Sequence, residues 1–520
     1  MQRTTNILCH LSFIICFLLT IFACDSTTNE VVTVPTVAPV DEAYVSITLQ
    51  LPFTSDATRA TNEATRAGNA AGSVGAANDG DTYAGVAAER KITSLRVIFY
   101  NSSDVVTHVF DARDADAVGG SLSQSPITLR AKKIEKQQYK VLVIANPTAR
   151  LKQVTNIGDS KTKLDAVAQV TVNDLVTTDG VVMTATKMVL TTDQNFRMTA
   201  TEAERAAATV KIELERSVAK VFVNPQAGSN ITAPNAAGGK AQMVDYSLDV
   251  LNTRMFWMRR PAPALSSNGT ATTDAPTTPE TETTAQAMRY AIDPNMSALS
   301  GADLQQLTTA APHRNPISQG GWADDRGIYV TENTMDANAQ RGNQTTHAVI
   351  CLRYVPKQLP ELANATDRTW ANYKGAYMTL AQLKTKLAAA ASAADDNALQ
   401  MPKGFKADAE HINARYPNIN NSTASFEAFN LKFYQNGKNF YLLPIRHFSD
   451  AQQPKLEAYG RYGVVRNHLY KINITKVTSA GHPTPVAPTD ESNDKVDTYV
   501  SANITVMPWH VVTQPKFVLE

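Results

Sequence analysis

The sequence predicts a mainly β protein with two β-sandwich domains and an additional strand at each end. Apolar and polar residues alternate in many short runs, which is the period of a half-buried strand. Polar turns such as residues 101–104 separate these runs, and aromatic residues make up only 7% of the chain. Many short strands with few helical patterns are typical of packed β-sheets.

The alternation predicts each internal strand in turn. In the first half the strands are 92–100, 105–110, 139–145, 181–190, 207–214 and 218–223. In the second half they are 246–257, 348–355, 429–433, 439–443 and 468–477. Leucines at 380, 383 and 387 predict one amphipathic helix within 379–394, because this spacing places them on one helical face.

Length and charge limit the possible functions. A chain of 520 residues predicts two or three domains. The formal net charge is +1, with 49 basic and 48 acidic residues, so no large field attracts nucleic acid. Cys351 lies in an apolar run and is predicted to be a buried strand thiol.

The N-terminus has the pattern of an export signal. Arg3 precedes an apolar run over 7–22, which is too short for a membrane span and indicates a secretory signal, residues 1–23. Ile21-Phe22-Ala23-Cys24 also fits a lipobox, which predicts cleavage before Cys24 and acylation of that residue, for example with palmitate. The alternative is a plain signal peptide with an incidental cysteine. Only Cys24 and Cys351 would remain after cleavage, so no disulfide framework is expected.

A first strand follows a tether that ends at residue 42. Residues 43–51 alternate strictly, which places four apolar side chains on one face: Val45, Ile47, Leu49 and Leu51. The same pattern places Ser46, Thr48 and Gln50 on the other face. Pro52 ends the strand.

The next segment, 54–83, has no hydrophobic period and is predicted to be an exposed loop where proteases cut. Arg59 and Arg66 are its only basic residues, so cleavage would fall between Arg66 and Ala67, or alternatively between Arg59 and Ala60. The propeptide would then be 24–66.

The rest of the chain divides into four segments: an N-terminal domain over 67–225, a C-terminal domain over 226–478, a linker over 479–498 and a final strand over 499–520. The linker holds three prolines and could span up to about 65 Å when extended. The final strand alternates like the first, with Val500, Ala502, Ile504 and Val506 on one face.

No pattern typical of an enzyme is present. Ser217-Val218-Ala219-Lys220 matches Ser-x-x-Lys, but it lies in a strand pattern and the companion motifs of that enzyme class are missing. The nine histidines are scattered and no His-Glu-x-x-His or Cys-x-x-Cys occurs. We therefore expect no catalytic residues, no metal and no cofactor.

Several dispersed motifs resemble the fimbrillins of lipoprotein-derived (type V) fimbriae, most closely the shaft subunit of the minor fimbrium. They are Glu215-Arg216-Ser217-Val218-Ala219-Lys220, Arg341-Gly342-Asn343, residues 464–472 and Ile504-Thr505-Val506-Met507-Pro508-Trp509, together with the lipobox and Arg66-Ala67-Gly68. The resemblance covers nearly the whole chain. Each motif alone is weak evidence for the family, and the resemblance depends on the order in which the motifs occur. It implies two β-sandwich domains of transthyretin-like topology, cleavage by an arginine-specific surface protease, and polymerisation through the C-terminal strand. This chain departs from the family pattern because it has two candidate cleavage sites, Arg59 and Arg66, rather than one.

The residues agree with this mechanism. The first and last strands carry four apolar residues at period two, so one could occupy the groove that the other leaves, with Trp509 as an anchor. The predicted partners are other copies of the chain in a head-to-tail fibre, tip and anchor subunits, and host or bacterial receptors in adhesion, virulence and biofilm formation. The precursor would sit in the outer membrane through its lipid and the mature protein in a surface fimbria. The alternatives are a monomeric glycan-binding surface lipoprotein and a fimbrial tip or anchor subunit.

Overall fold

A computed structural model describes the chain at residues 41–51, 85–225, 239–261, 290–296, 304–305, 315–317, 327–336, 339–447, 461–495 and 500–508. Six predicted site residues lie outside this part of the chain: Cys24, Arg59, Ala60, Arg66, Ala67 and Trp509. Within the described ranges the protein is mainly β with few helices, which confirms the predicted class.

The described part of the first half contains thirteen strands. They are β1 (Glu42–Val45), β2 (Ile47–Gln50), β3 (Leu95–Tyr100), β4 (Val106–Ala112), β5 (Ile127–Thr128), β6 (Lys132–Glu135), β7 (Lys140–Ala145), β8 (Ala168–Gln169), β9 (Val176–Thr177), β10 (Gly180–Val181), β11 (Met183–Ala185), β12 (Val189–Leu190) and β13 (Val210–Arg216).

The described part of the second half begins with β14. Its strands are β14 (Ala219–Pro225), β15 (Lys240–Asp249), β16 (Leu251–Asn252), β17 (Arg254–Met255), β18 (Arg260–Pro261), β19 (Ala291–Ile292), β20 (Leu304–Gln305), β21 (Asn315–Pro316), β22 (Ile328–Val330), β23 (Asn333–Thr334), β24 (His347–Val355), β25 (Trp370–Tyr373), β26 (Ala376–Thr379), β27 (Phe426–Ala428), β28 (Leu431–Tyr434), β29 (Lys438–Pro444), β30 (Gly463–Val464), β31 (His468–Val477) and β32 (Val500–Pro508).

The helices are short in the first half and longer in the second. They are α1 (Ala87–Arg90), α2 (Ala149–Gln153), α3 (Lys161–Asp165), α4 (Val172–Leu175), α5 (Ala200–Ala203), α6 (Leu380–Ala389) and α7 (Phe405–Arg415). The predicted helix is α6, capped by the Thr379 side chain and buried through Leu383 and Leu387. The sequence reading missed α7, although Phe405, Ala409 and Ile412 recur on one helical face and are all buried.

Three sheets organise the described strands. The largest has the order β4-β3-β7-β11-β13-β2-β5, with β12 beside β7. The second has the order β22-β14-β31-β32, and the third β21-β15-β24-β29. The chain therefore leaves the first sheet after β13, and β14, which the sequence assigns to the N-terminal domain, pairs in parallel with β31.

Two large hydrophobic clusters and one smaller one form most of the core of the described structure. One cluster joins the first strands to β3, β7, β11 and β13. A second cluster is formed by residues of the second and third sheets and includes Val221, Ile350, Leu443 and Ile472. The predicted buried thiol is confirmed, because the Cys351 side chain lies in this second cluster's sheet and is 2% exposed. A third, smaller cluster packs α6 and α7 on the sheet β26-β25-β28-β27.

Two buried charge pairs join the two halves. Lys220 of β14 pairs with Glu89 of α1, and Arg259 Nε lies 3.0 Å from Glu215 Oε2 of β13. Buried ions need partners of opposite charge, so these two pairs restrict how the halves can pack. A third buried pair lies within the second half, where Arg466 Nη2 lies 3.1 Å from Glu332 Oε1.

In the described ranges no helix is long and apolar enough to cross a membrane. The same residues include no group of three His, Cys, Asp or Glu side chains placed to hold a metal ion.

Candidate functional site: the first-strand groove and the C-terminal strand

The predicted first strand lies inside the largest sheet. Strand β2 runs parallel to β13, with Ile47 opposite Val210 and Gln50 opposite Glu213. On its other side β2 is antiparallel to β5, where the Thr48 and Thr128 hydroxyls lie 3.0 Å apart. A strand with a partner on each side is an interior strand of the sheet, although it comes first in the chain.

All four predicted apolar residues of this strand are buried. Leu49 is 0% exposed, and Val45, Ile47 and Leu51 are exposed by 2%, 4% and 8%. We name the space they fill the first-strand groove. Its floor includes Val97, Phe99, Phe110 and Leu129. At about 1.5–3 kcal/mol for each large aliphatic side chain, their burial contributes on the order of 6–12 kcal/mol before ordering costs.

The structure changes one expectation for this segment. The predicted single strand over 43–51 is divided at Ser46 into β1, which pairs with β6, and β2, which pairs with β13 and β5. The alternation predicts Ser46 on the face opposite the four apolar residues, and the structure shows that this side chain is also buried, at 2% exposed. Its hydroxyl donates a 2.6 Å hydrogen bond to the Leu129 carbonyl. Period-two alternation fails here because the backbone changes partners.

Charged groups mark the start of the groove. The Lys133 amine lies 2.6 Å from the Glu42 carboxylate across β1 and β6. The hydrogen bond to Glu42, and then its charge, raise the pKa of the Lys133 amine. Tyr44 exchanges two backbone hydrogen bonds with Arg197, of 2.8 and 3.0 Å. The sequence reading missed Lys133 and Arg197, since no local pattern links them to residue 44.

The chain re-enters the domain after the predicted cleavage loop at a buried carboxylate. Glu89 is 0% exposed and accepts a 2.6 Å hydrogen bond from the Tyr329 hydroxyl as well as pairing with Lys220. Burial and the Glu89 charge raise the pKa of Tyr329 well above its ordinary value. This attachment is independent of β1 and β2, because Glu89 contacts neither of them through these bonds.

The predicted donor strand lies in a different sheet from the groove. Strand β32 is antiparallel to β31, with Val500 opposite Val477, Ala502 opposite Ile474 and Val506 opposite Tyr470. Ile504 lies opposite Ile472 in the same register. Among the described strands β32 has β31 as its one ladder partner, so it is an edge strand. The structure therefore does not bring the first and last strands together within one chain.

The segment before β32 falls within the predicted linker at 479–498, and its described residues are docked on the protein. Residues 479–495, which we name the strap, lie against the second half. Backbone hydrogen bonds of 2.8–2.9 Å join His482 to Phe440 in both directions, and the Asn343 amide donates to the Thr489 carbonyl at 2.8 Å. Asp494 lies 2.8 Å from the Arg461 guanidinium. A segment with this many fixed bonds does not span 65 Å while docked.

Two family models match the chain. The model described as "Major fimbrial subunit protein (FimA)" matches residues 43–216, from β1 to the last residue of β13. The model described as "Major fimbrial subunit protein type IV, Fimbrillin, C-terminal" matches residues 432–515. No curated protein matches significantly.

Solved structures align over most of the chain at low identity. A putative cell adhesion protein from Parabacteroides distasonis is 12% identical, covering 90% of this chain and 98% of that one with a TM-score of 0.44. A fimbrilin from Porphyromonas gingivalis is 14% identical, with coverage of 91% and 99% and a TM-score of 0.36. The tip fimbrial protein Mfa3 from the same organism, with C-terminal truncation, is 9% identical, with coverage of 90% and 99% and a TM-score of 0.35.

The two family matches indicate a protein of the fimbrial subunit class. More narrowly, the chain fits the fimbrillin family. Proteins of that family are structural subunits that assemble with other fimbrial subunits into cell-surface fimbriae.

Proposed function

We propose that this chain is a shaft subunit of a surface fimbria, made as a lipoprotein precursor and polymerised by β-strand donation. The observation that carries the proposal is the position of the first strand. It is buried between β13 and β5, yet the chain that follows it, residues 52–84, contains both Arg59 and Arg66. One cut there removes the covalent link between an interior strand and its domain.

On the C-terminal side of the cleavage site, the mature chain keeps an attachment to the rest of the protein. After cleavage between Arg66 and Ala67, or between Arg59 and Ala60, the mature chain would still be held at Glu89 by Lys220 and Tyr329. Loss of the first strand would expose the β13 edge and the apolar floor of the groove. An exposed edge beside an apolar groove is a template for another strand.

Strand donation is favourable because a strand in the groove has more hydrogen-bonding partners than β32 has at its own sheet edge. Among the described strands of its own chain β32 pairs with β31 alone, whereas a strand in the groove has β13 on one side and β5 and β6 on the other. The groove also removes alternate side chains from water almost completely. A neighbour's Val500, Ala502, Ile504 and Val506 would take that place, with Trp509 as an anchor. Head-to-tail donation does not close on itself and produces a filament.

The proposal also specifies how the precursor is processed and how the mature chain is divided into domains. Residues 1–23 are the signal peptide, Cys24 is lipidated in the outer membrane, and 24–66 is removed by an arginine-specific surface protease. The two halves are β-sandwich domains of transthyretin-like topology. Their limits were set from the sequence at 67–225 and 226–478; the change of sheet after Arg216 favours a boundary near 217. The fibre would incorporate tip and anchor subunits and act in adhesion and biofilm formation.

The test is N-terminal sequencing of the protein in fibres sheared from the cell surface. A start at Ala67 or Ala60 is expected. The double variant Arg59→Ala with Arg66→Ala should remain a lipidated precursor without fibres, while Arg113→Ala, an exposed arginine outside the loop, should assemble normally. A blocked N-terminus at Cys24 in the sheared fibres would refute removal of the strand and favour an anchor subunit. Folded monomers that bind glycans but form no fibres would favour the glycan-binding lipoprotein.

A further inference from the structure

The first and last strands share more than their apolar alternation. Residues 42–46 read Glu-Ala-Tyr-Val-Ser and residues 497–501 read Asp-Thr-Tyr-Val-Ser. Each segment has an acidic residue, one intervening residue, and then the identical tripeptide Tyr-Val-Ser. The apolar positions continue in step, with Ile47 matched by Ala502, Leu49 by Ile504 and Leu51 by Val506. The two segments match only when both are read from the N-terminal to the C-terminal end.

Ser46 is the residue that fixes the register of the first strand. Its carbonyl accepts a 2.9 Å hydrogen bond from the Val210 amide, and its hydroxyl donates 2.6 Å to the Leu129 carbonyl. The Leu129 amide in turn donates 2.9 Å to the Ile47 carbonyl. A buried polar group needs a partner, so an occupant of the groove lacking a hydroxyl here would leave the Leu129 carbonyl with one bond fewer.

The acidic residue and the tyrosine act at the entrance of the groove. Glu42 pairs with Lys133 at 2.6 Å, and the Tyr44 backbone bonds with Arg197 in both directions. Asp497 stands four residues before Ser501, as Glu42 stands four residues before Ser46. The same spacing would place a carboxylate opposite the Lys133 amine.

We propose that the donated C-terminal strand enters a neighbour's groove in the same direction and register as the first strand, with Ser501 taking the place of Ser46. This inference rests on the proposed strand donation and specifies its geometry. The donor strand runs parallel to β13 and antiparallel to β5 and β6, and Asp497 faces Lys133. Ser501 and Asp497 are then the residues that select the register.

The opposite direction is a distinct alternative. Aligning the four apolar positions in reverse places Thr505 at the position of Ser46 and Trp509 at the position of Glu42. The acidic partner of Lys133 is then lost. The two directions can be separated because Glu135 lies opposite Glu42 and Glu213 lies opposite Gln50, and both glutamates are exposed.

Engineered cysteine pairs in full-length protein test the direction. Glu135→Cys with Asp497→Cys, and Glu213→Cys with Thr505→Cys, should form disulfides between subunits when fibres are mildly oxidised. They should appear as covalent ladders on non-reducing gels. The matched controls are Glu213→Cys with Ser501→Cys and Glu135→Cys with Trp509→Cys, which should not cross-link. The native thiol Cys351 is 2% exposed and should contribute little background.

Alanine variants test the register by another route. Ser501→Ala should make fibres dissociate about tenfold faster in warm detergent, because the buried carbonyl loses its partner. Thr505→Ala should have little effect, since its place in this register is that of the exposed Gln50. If the donor strand instead enters in the opposite direction, Thr505→Ala should speed dissociation and Ser501→Ala should have little effect.

The outcomes separate this inference from the proposed function. Ladders from the control pairs, or a larger effect of Thr505→Ala than of Ser501→Ala, would overturn the direction. Normal fibres with neither set of ladders would overturn the register and leave strand donation in place. Fibres that still form after deletion of residues 500–520 would refute strand donation itself, and this inference with it.

Discussion

Leu49→Ala should weaken the precursor and leave the fibre unchanged. Leu49 is 0% exposed in the centre of β2, opposite Ile212 and Ile127. Removing such a side chain costs about 2–5 kcal/mol from lost burial and the cavity left behind. In the fibre the residue has been discarded with the propeptide, so the same substitution should have no effect there.

Two measurements on the same variants check this prediction. The free energy of unfolding comes from urea titration of precursor held uncleaved by Arg59→Ala and Arg66→Ala. Fibre stability is the temperature at which sheared fibres dissociate in detergent. Gln50→Ala, at an exposed position of the same strand, should change the unfolding free energy by no more than about 0.5 kcal/mol. Ile504→Ala is the corresponding substitution in the donor strand, at the position matched to Leu49, and it should lower the dissociation temperature of the fibre.

One result would refute the reasoning. If fibres carrying Leu49→Ala dissociate at a clearly lower temperature than unmodified fibres, then the first strand is still present in the assembled subunit. An unchanged precursor would instead show that Leu49 contributes far less to the core than its burial indicates.

Three further predictions concern assembly, export and pH. Deletion of residues 500–520 should give secreted, folded monomers on native gels, and normal ladders of polymer would contradict this. Cys24→Ala should block surface delivery measured by surface labelling, and ordinary display would remove lipidation from the proposal. Burial lowers the pKa of His347 from 6.5 to about 4, so its contribution to stability is present above pH 6.5 and is lost as pH falls toward 4. Urea titration should show about 2 kcal/mol less stability at pH 5 than at pH 7 from this residue, and His347→Gln should reduce that difference.

Much of the fold could be predicted from local patterns. Period-two alternation located the strand at 468–477 with its observed bounds, and it identified the buried face of the first strand. Leucine spacing located α6. These features depend on residues close together in the chain, so a single sequence contains the information.

Other features depend on partners that are distant in the chain. The predicted run 181–190 is broken into β10, β11 and β12, and β11 pairs with β7 and β13 while β12 pairs with β7. Composition indicated a linker at 479–498, because prolines and acidic residues are typical of linkers. The strap is nevertheless held by backbone groups of Phe440 and Asn343. Composition does not report such backbone partners.

The amino-acid order alone predicts the periodicity of the terminal strands, the arginines behind the first strand, and the residues that resemble a fimbrillin. The folded chain was needed to see that β2 lies inside a sheet, parallel to β13, and that β32 lies at the edge of another among the described strands. It also shows that Ser46 is buried against Leu129. The physical reason is that alternation is a property of one strand, whereas direction, register and burial are set by hydrogen bonds and contacts between strands far apart in the chain.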